Sequence, residues 1–179
     1  MNIKIYPDPI LLKSSSEIKN IDKGLVDLIN SMVNTMREAE GIGLAAPQVG
    51  VLKRVFVCQD FSDESKETFL TMINPKIIDT EGRVESKEGC LSIPGYYDYV
   101  YRAEKIQIEA LDINGKSKTY LTDGMQSIVF QHEYDHLEGI LFTDKLSSLK
   151  KRILKKKLEK ISLGKISSSY RMRFPNIKI

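Results

Sequence analysis

The chain has two histidines, His132 and His136, four positions apart, with a glutamate directly after the first. On a helix that spacing stacks both imidazoles on one face, so both can reach one ion. Glu133 is turned about 100° from His132. At the side of that face it can take a proton from a water beside the ion rather than bind the ion itself. Residues 131–137 (QHEYDHL) thus carry the H-E-x-x-H arrangement of hydrolytic metal sites.

Two histidines do not complete such a site. A catalytic ion needs a third protein ligand and one position open to water. No histidine follows, and the glutamates downstream are Glu138 and Glu159. Upstream, residues 88–95 (EGCLSIPG) read as an irregular loop from their glycine and proline punctuation. A thiolate at Cys90 suits zinc or ferrous iron as third ligand. The competing reading of Cys90 is a small buried core residue.

The elements that must hold these residues follow from periodicity. Asp22 is placed to cap an amphipathic helix to about Glu40, with Leu25, Leu28, Ile29, Met32, Val33 and Met36 on one face. Residues 41–50 are small and glycine-rich, and Gln48 is their one polar side chain. Glycine there permits close backbone approach, or a plain helix cap and tight connection. Residues 53–59 and 69–78 read as strands, with a polar loop at 61–67 and Cys58 as core packing. Tyr96, Tyr97, Tyr99 and Tyr101 partly alternate, as on one face of a strand or around a substrate rim. Residues 105–112 alternate, and Asn114-Gly115 predicts a two-residue hairpin turn into 118–121. Thr122 or Asp123 can cap the histidine helix, on which Met125, Ile128, Val129 and His132 share a face. That face is core, with its His132 end lining a pocket for an apolar side chain. A last helix spans about 147–161, with Leu149, Ile153, Leu154, Leu158 and Ile161 as its apolar stripe. Tyr6-Pro7-Asp8-Pro9 reads as rigid and extended.

With 179 residues, 41% apolar and 28% charged, the composition is that of one soluble globular domain over 1–179. No run reaches the roughly 18 apolar residues of a membrane span. The start lacks a signal core, and two cysteines imply no disulfide framework, so the expected location is cytoplasmic. The net charge of +3 divides into +10 over residues 150–179 and −7 over the remainder. That basic segment can be a phosphate-binding surface or simply a solvated helix face and tail. Residues 166–179 carry no motif, though Tyr170, Met172 and Phe174 alternate as an edge strand would.

Three motifs stand in order: 41–50 (GIGLAAPQVG), 88–92 (EGCLS) and 131–137 (QHEYDHL). Together, over about residues 3–160, they resemble the peptide deformylases, which remove the N-formyl group from nascent proteins. The resemblance implies an α+β fold, with antiparallel sheets around a central helix carrying the histidines and a C-terminal helix. It implies Cys90, His132 and His136 as metal ligands and Glu133 as acid and base. The Gln48 side chain and the Leu91 backbone N–H would bind the formyl oxygen. Ile42, Gly43 and Gly89 would hold the peptide as an added strand, a pairing that accepts many sequences. Met125, Ile128 and Val129 would take the methionine side chain. Glu88 would pair with Arg102 and steady the metal loop. The ion would be Fe(II) in the cell, with Zn(II), Ni(II) or Co(II) also accommodated. The implied partners are N-formylmethionyl nascent peptides and, through the basic helix, the ribosome. Membrane and sequence-specific nucleic-acid binding are not expected. Two rival readings use the same residues: an H-E-x-x-H metallopeptidase, and a catalytically silent ribosome-associated protein.

Overall fold

The structure, a computed structural model, describes residues 1–62 and 67–162. Helix α1 (Lys23–Glu38) starts where Asp22 Oδ1 accepts the Leu25 N–H at 2.8 Å, as its sequence predicts. Strands β1 (Gly43–Ala45), β2 (Val55–Gln59), β3 (Phe69–Glu81), β6 (Lys105–Leu111) and β7 (Ser117–Thr122) form one antiparallel sheet in the order β1-β2-β3-β6-β7. Strands β4 (Val84–Cys90) and β5 (Ile93–Arg102) form a separate hairpin. Helix α2 (Gly124–Leu137) carries both histidines, and α3 (Ser148–Ser162) follows. The fold is α+β.

Both faces of the five-stranded sheet are covered around β2 and the first half of β3. Val55, Val57 and Ile73 pack against Leu25, Ile29, Met32 and Met36 of α1. Their neighbours Phe56, Cys58 and Met72 point the other way, onto Val129, Phe130 and Leu137 of α2. The alternation of a strand supplies both surfaces. This is why β2 reads as a continuous apolar run rather than a two-faced pattern. The hairpin forms a third cluster, in which Ile93, Tyr96 and Val100 meet Leu11, Leu141, Phe142 and Leu154.

Several expectations are corrected. Residues 88–95 are not an irregular loop: β4 runs through Cys90, and the chain turns only at Leu91 and Ser92. Gly89 pairs with Tyr97 but Cys90 with Ile93, so Pro94 falls in the irregularity where no ladder bond is required. The β6–β7 turn is closed by Asp112 N–H donating to Lys116 O, which leaves three residues at its tip rather than two. Asp112 also accepts from the Asn114 and Lys116 amides. Asp123 occupies the N-cap of α2 without a side-chain cap bond. Residues 6–9 are not extended: the Tyr6–Pro7 bond is cis, and a 3-10 turn follows at Pro9–Leu12, capped by Asp8. Among the described residues of the expected α3 stripe, Leu154 is buried, whereas Leu149 and Ile153 are exposed. The side chains of Leu158 and Ile161, and the strand expected in 166–179, lie outside the described residues.

The N-terminal segment crosses the end of α2. Ser15 N–H donates to Leu137 O at 2.8 Å. Gly139, at φ +72°, lies so near that a Cβ there would sit 2.7 Å from the Leu12 carbonyl carbon. Only glycine fits that conformation and that approach together.

Candidate active site and metal centre

One turn of α2 and the end of β4 bring the predicted ligands together. Ligand atoms of Cys90, His132 and His136 all lie within 4.8 Å of one another. The Cys90 sulfur is 3.3 Å from His136 Nε2. His132 turns its Nδ1 away from this point, 2.8 Å from Glu88 Oε2, which leaves Nε2 for the cluster. One sulfur and two imidazoles are a donor set for zinc or ferrous iron. The residues present therefore fit a divalent ion.

Glu88 is fixed in turn. Arg102 donates to its two oxygens from Nε at 2.7 Å and Nη2 at 2.8 Å, a bidentate pair that matches the expectation. Arg102 Nη1 donates to Asp135 Oδ2, which Lys145 Nζ also approaches at 3.1 Å. Burial alone would raise the Glu88 carboxyl. The hydrogen bonds from Arg102 and His132 overcome it and hold Glu88 at about 2.

Glu133 lies in a different setting. It is buried, and its Oε2 has no hydrogen-bond partner among the described residues. Burial is the main reason its carboxyl is pushed up to about 7. Its side chain is pressed against Gly43, where any Cβ would overlap the carboxylate. His136 is pushed down, first by burial and then by the charge of His132, and its buried Nδ1 has no partner among the described residues.

Gln48 is fully buried beside the sulfur. The Ala45 N–H donates to Gln48 Oε1 at 2.8 Å, which fixes the amide orientation, because an N–H must meet the carbonyl end. Nε2 therefore faces Cys90 Sγ at 3.5 Å and Ser92 Oγ at 3.3 Å. The Ser92 N–H donates to the same sulfur at 3.4 Å.

These groups border a cleft of about 540 Å³. Ile42, Gly43, Gly89, Leu91, Met125, Ile128 and Val129 all line it. Val129 is buried, while Met125 and Ile42 are exposed. Gly41 and Gly89 leave room for the Leu91 side chain and the Tyr97 ring, which a Cβ at either position would strike. Sequence reasoning overlooked Ser92, Asp135 and Lys145. It also gave Gln131 no task, yet its amide clamps Ala103 by accepting from N and donating to O, each at 2.9 Å. Burial distinguishes Ser92, Asp135 and Gln131 from ordinary surface polar residues, and the contact with Asp135 distinguishes Lys145; neither is written in a local pattern.

The cleft and its ligands have counterparts elsewhere. The profile of the polypeptide deformylase family matches residues 1–152. A peptide deformylase of Christiangramia forsetii is 46% identical, with 97% of this chain and 95% of that protein covered. One of Thermodesulfovibrio yellowstonii is 45% identical over 89% of this chain and 96% of its own. The crystal structure of the Legionella pneumophila enzyme superimposes with a TM-score of 0.83 at 41% identity, covering 92% of this chain and 96% of that one. That of the Ehrlichia chaffeensis enzyme in complex with actinonin gives 0.82 at 38% identity, covering 89% and 96%. The chain belongs to the polypeptide deformylase family, the hydrolases that remove the N-formyl group from nascent peptides.

Proposed function

We propose that Cys90, His132 and His136 hold the ion of this hydrolase and that Glu133 moves the protons of its reaction. The observation that carries this is the convergence of one sulfur and two imidazoles beside a buried carboxylate with an unsatisfied oxygen. When bound, a divalent ion supplies Lewis-acid chemistry, acidifying water to near neutral pH and polarising the formyl carbonyl. Ferrous iron is the ion in the cell in this reading, with zinc, nickel or cobalt able to replace it.

The chain's own residues do the rest. Ile42, Gly43 and Gly89 align the peptide backbone as an added strand, and Met125, Ile128 and Val129 receive the methionine side chain. Gln48 Nε2 and the Leu91 N–H face the formyl oxygen and stabilise charge as it develops there. Glu133 accepts a proton as the water oxygen bonds to the formyl carbon. It returns that proton to the α-nitrogen as the carbon–nitrogen bond breaks, and formate and the free amine leave. Helix α2 acts as the central helix between the five-stranded sheet and the hairpin, and the chain is one catalytic domain. Actinonin occupies the same cleft and competes with the formyl peptide.

The basic face of α3 gives the enzyme a place to meet ribosomal phosphates. Lys151, Arg152 and Lys155 are exposed on it. Binding to ribosomes that weakens steeply with salt supports this, and salt-independent binding counts against it. Among the described residues, no helix is long and apolar enough to cross a membrane.

The test of the mechanism is formate release from formyl-Met-Ala by anaerobically purified protein, with the ion quantified. Glu133→Gln is expected to keep the ion and lose turnover by about 10²- to 10⁴-fold, the usual contribution of a placed proton carrier. Near-normal turnover in that variant would remove Glu133 from the role.

A further inference from the structure

We propose that Lys145 is a positioning residue for the ion site, acting on His132 through Asp135, Arg102 and Glu88. The inference rests on the reading of His132 as a ligand. The contacts are continuous. Lys145 Nζ lies 3.1 Å from Asp135 Oδ2. Asp135 Oδ2 also accepts from Arg102 Nη1. Arg102 grips both oxygens of Glu88, and Glu88 Oε2 meets His132 Nδ1 at 2.8 Å.

Three features give Lys145 its task. The first is charge. Without it, two buried carboxylates, Glu88 and Asp135, share one guanidinium. Lys145 makes the set neutral, and an uncompensated charge at such depth loosens the group that carries it. The second is direction. Glu88 draws Arg102 from one side and Asp135 from another, so the guanidinium stays in one plane only while both are fixed. Glu88 Oε2 then sets the plane of the His132 ring and the nitrogen that faces the cluster. The third is location. Lys145 ends a 3-10 turn, Phe142–Lys145, in which Asp144 accepts the Leu141 N–H at 2.9 Å. Phe142 of that turn stacks on the His132 ring, with centroids 6.1 Å apart. One short turn thus bears on His132 twice, by ring contact and by relay. The Lys145 side chain is 33% exposed, whereas those of Asp135, Arg102, Glu88 and His132 are at most 12% exposed. It is where the relay meets water.

The test uses the full-length protein loaded with Co(II), whose absorption bands report ligand geometry, with release followed into a chelator. Ligand-supporting contacts of this kind commonly change ion affinity by 10- to 100-fold. Lys145 stands further out, so Lys145→Met is expected to release Co(II) about five- to tenfold faster with shifted bands. Lys145→Arg, which keeps the charge and the reach, should restore both. Unchanged bands and release in Lys145→Met overturn the proposal. So does a lowered melting temperature of the ion-free protein with no change in the bands, which would mark an ordinary structural lysine. A wild-type protein that binds no Co(II) overturns the ligand reading itself, and this inference with it.

Discussion

The β4–β5 hairpin and helix α3 touch the same cluster around Leu11, Tyr96 and Phe142, yet they are held in different ways. The polar groups that the hairpin brings to the site have several partners each, some within the hairpin and some from distant parts of the chain. Glu88 is held by Arg102 and His132, and Cys90 by Gln48 and Ser92. Among the described residues, helix α3 is anchored by the buried Leu154 and by the ion pair from Lys150 Nζ to Asp98 at 2.6 Å. Two of its apolar side chains, Leu149 and Ile153, remain 60% and 62% exposed. A site for chemistry requires many partners to fix each atom, whereas a surface for docking requires few.

The largest expected effect lies beside the hairpin, where the Glu133 carboxylate of α2 packs against Gly43 of β1. Gly43→Ala introduces a methyl into the space of the Glu133 carboxylate. Displacing that carboxylate by about 1 Å should lower kcat roughly a hundredfold, with ion content unchanged by metal analysis. Normal turnover would show that Glu133 has slack, and the contrast between the regions would fail. The next effect lies in the sparse region. Leu154→Ala should cost about 2–3 kcal/mol, at the low end for a buried leucine because the helix can pull away. Chemical denaturation measures it, and kcat should move little. A loss of kcat as large as that of Gly43→Ala would mean the helix supports the site after all.

Ser92→Ala tests the site more gently. Gln48 keeps its bond from Ala45 but loses the hydroxyl that steadies Nε2. A fall in kcat of about tenfold, with KM unchanged, is expected for a misaimed oxyanion donor. A rise in KM alone would place Ser92 in substrate binding instead. The smallest effect concerns Asp98, held down at about 2 first by Lys150 and then by Tyr96. A depressed carboxyl stabilises above its unfolded value, about 3.9, and that stabilisation is lost as pH falls toward 2. The stability difference between wild type and Asp98→Asn should therefore shrink from pH 4 down to pH 2. A gap that widens over that range would refute the pairing.

The three motifs were legible because each is local and chemically unusual. The histidine helix, α1 and the β6–β7 hairpin follow from spacing alone. Spacing left Cys90 open between ligand and core residue until the resemblance of the three motifs favoured the ligand, and its strand was hidden. Gly89 and Pro94 read as breakers, whereas one makes room for Tyr97 and the other falls in the register shift. Ser92 and Asp135 lie within the motifs but gained no role there, since the Gln48 and Arg102 groups they meet are 44 and 33 positions away, and Lys145 lies in no motif. The exposed stripe of α3 misled for the opposite reason. Its period is that of a packed helix, but among the described residues only Leu154 finds the core.

The crossing of the N-terminal segment beneath Gly139 bears on the order in which the molecule is made. Ser14 and Glu138, joined there by a hydrogen bond, are 124 positions apart, so the segment before α1 is held only once the segment after α2 is in place. Closing so long a loop is slow compared with forming a helix or a hairpin. The histidine helix gains its lower support only after most of the chain has been synthesised, and activity should appear late in biogenesis, in a single final step.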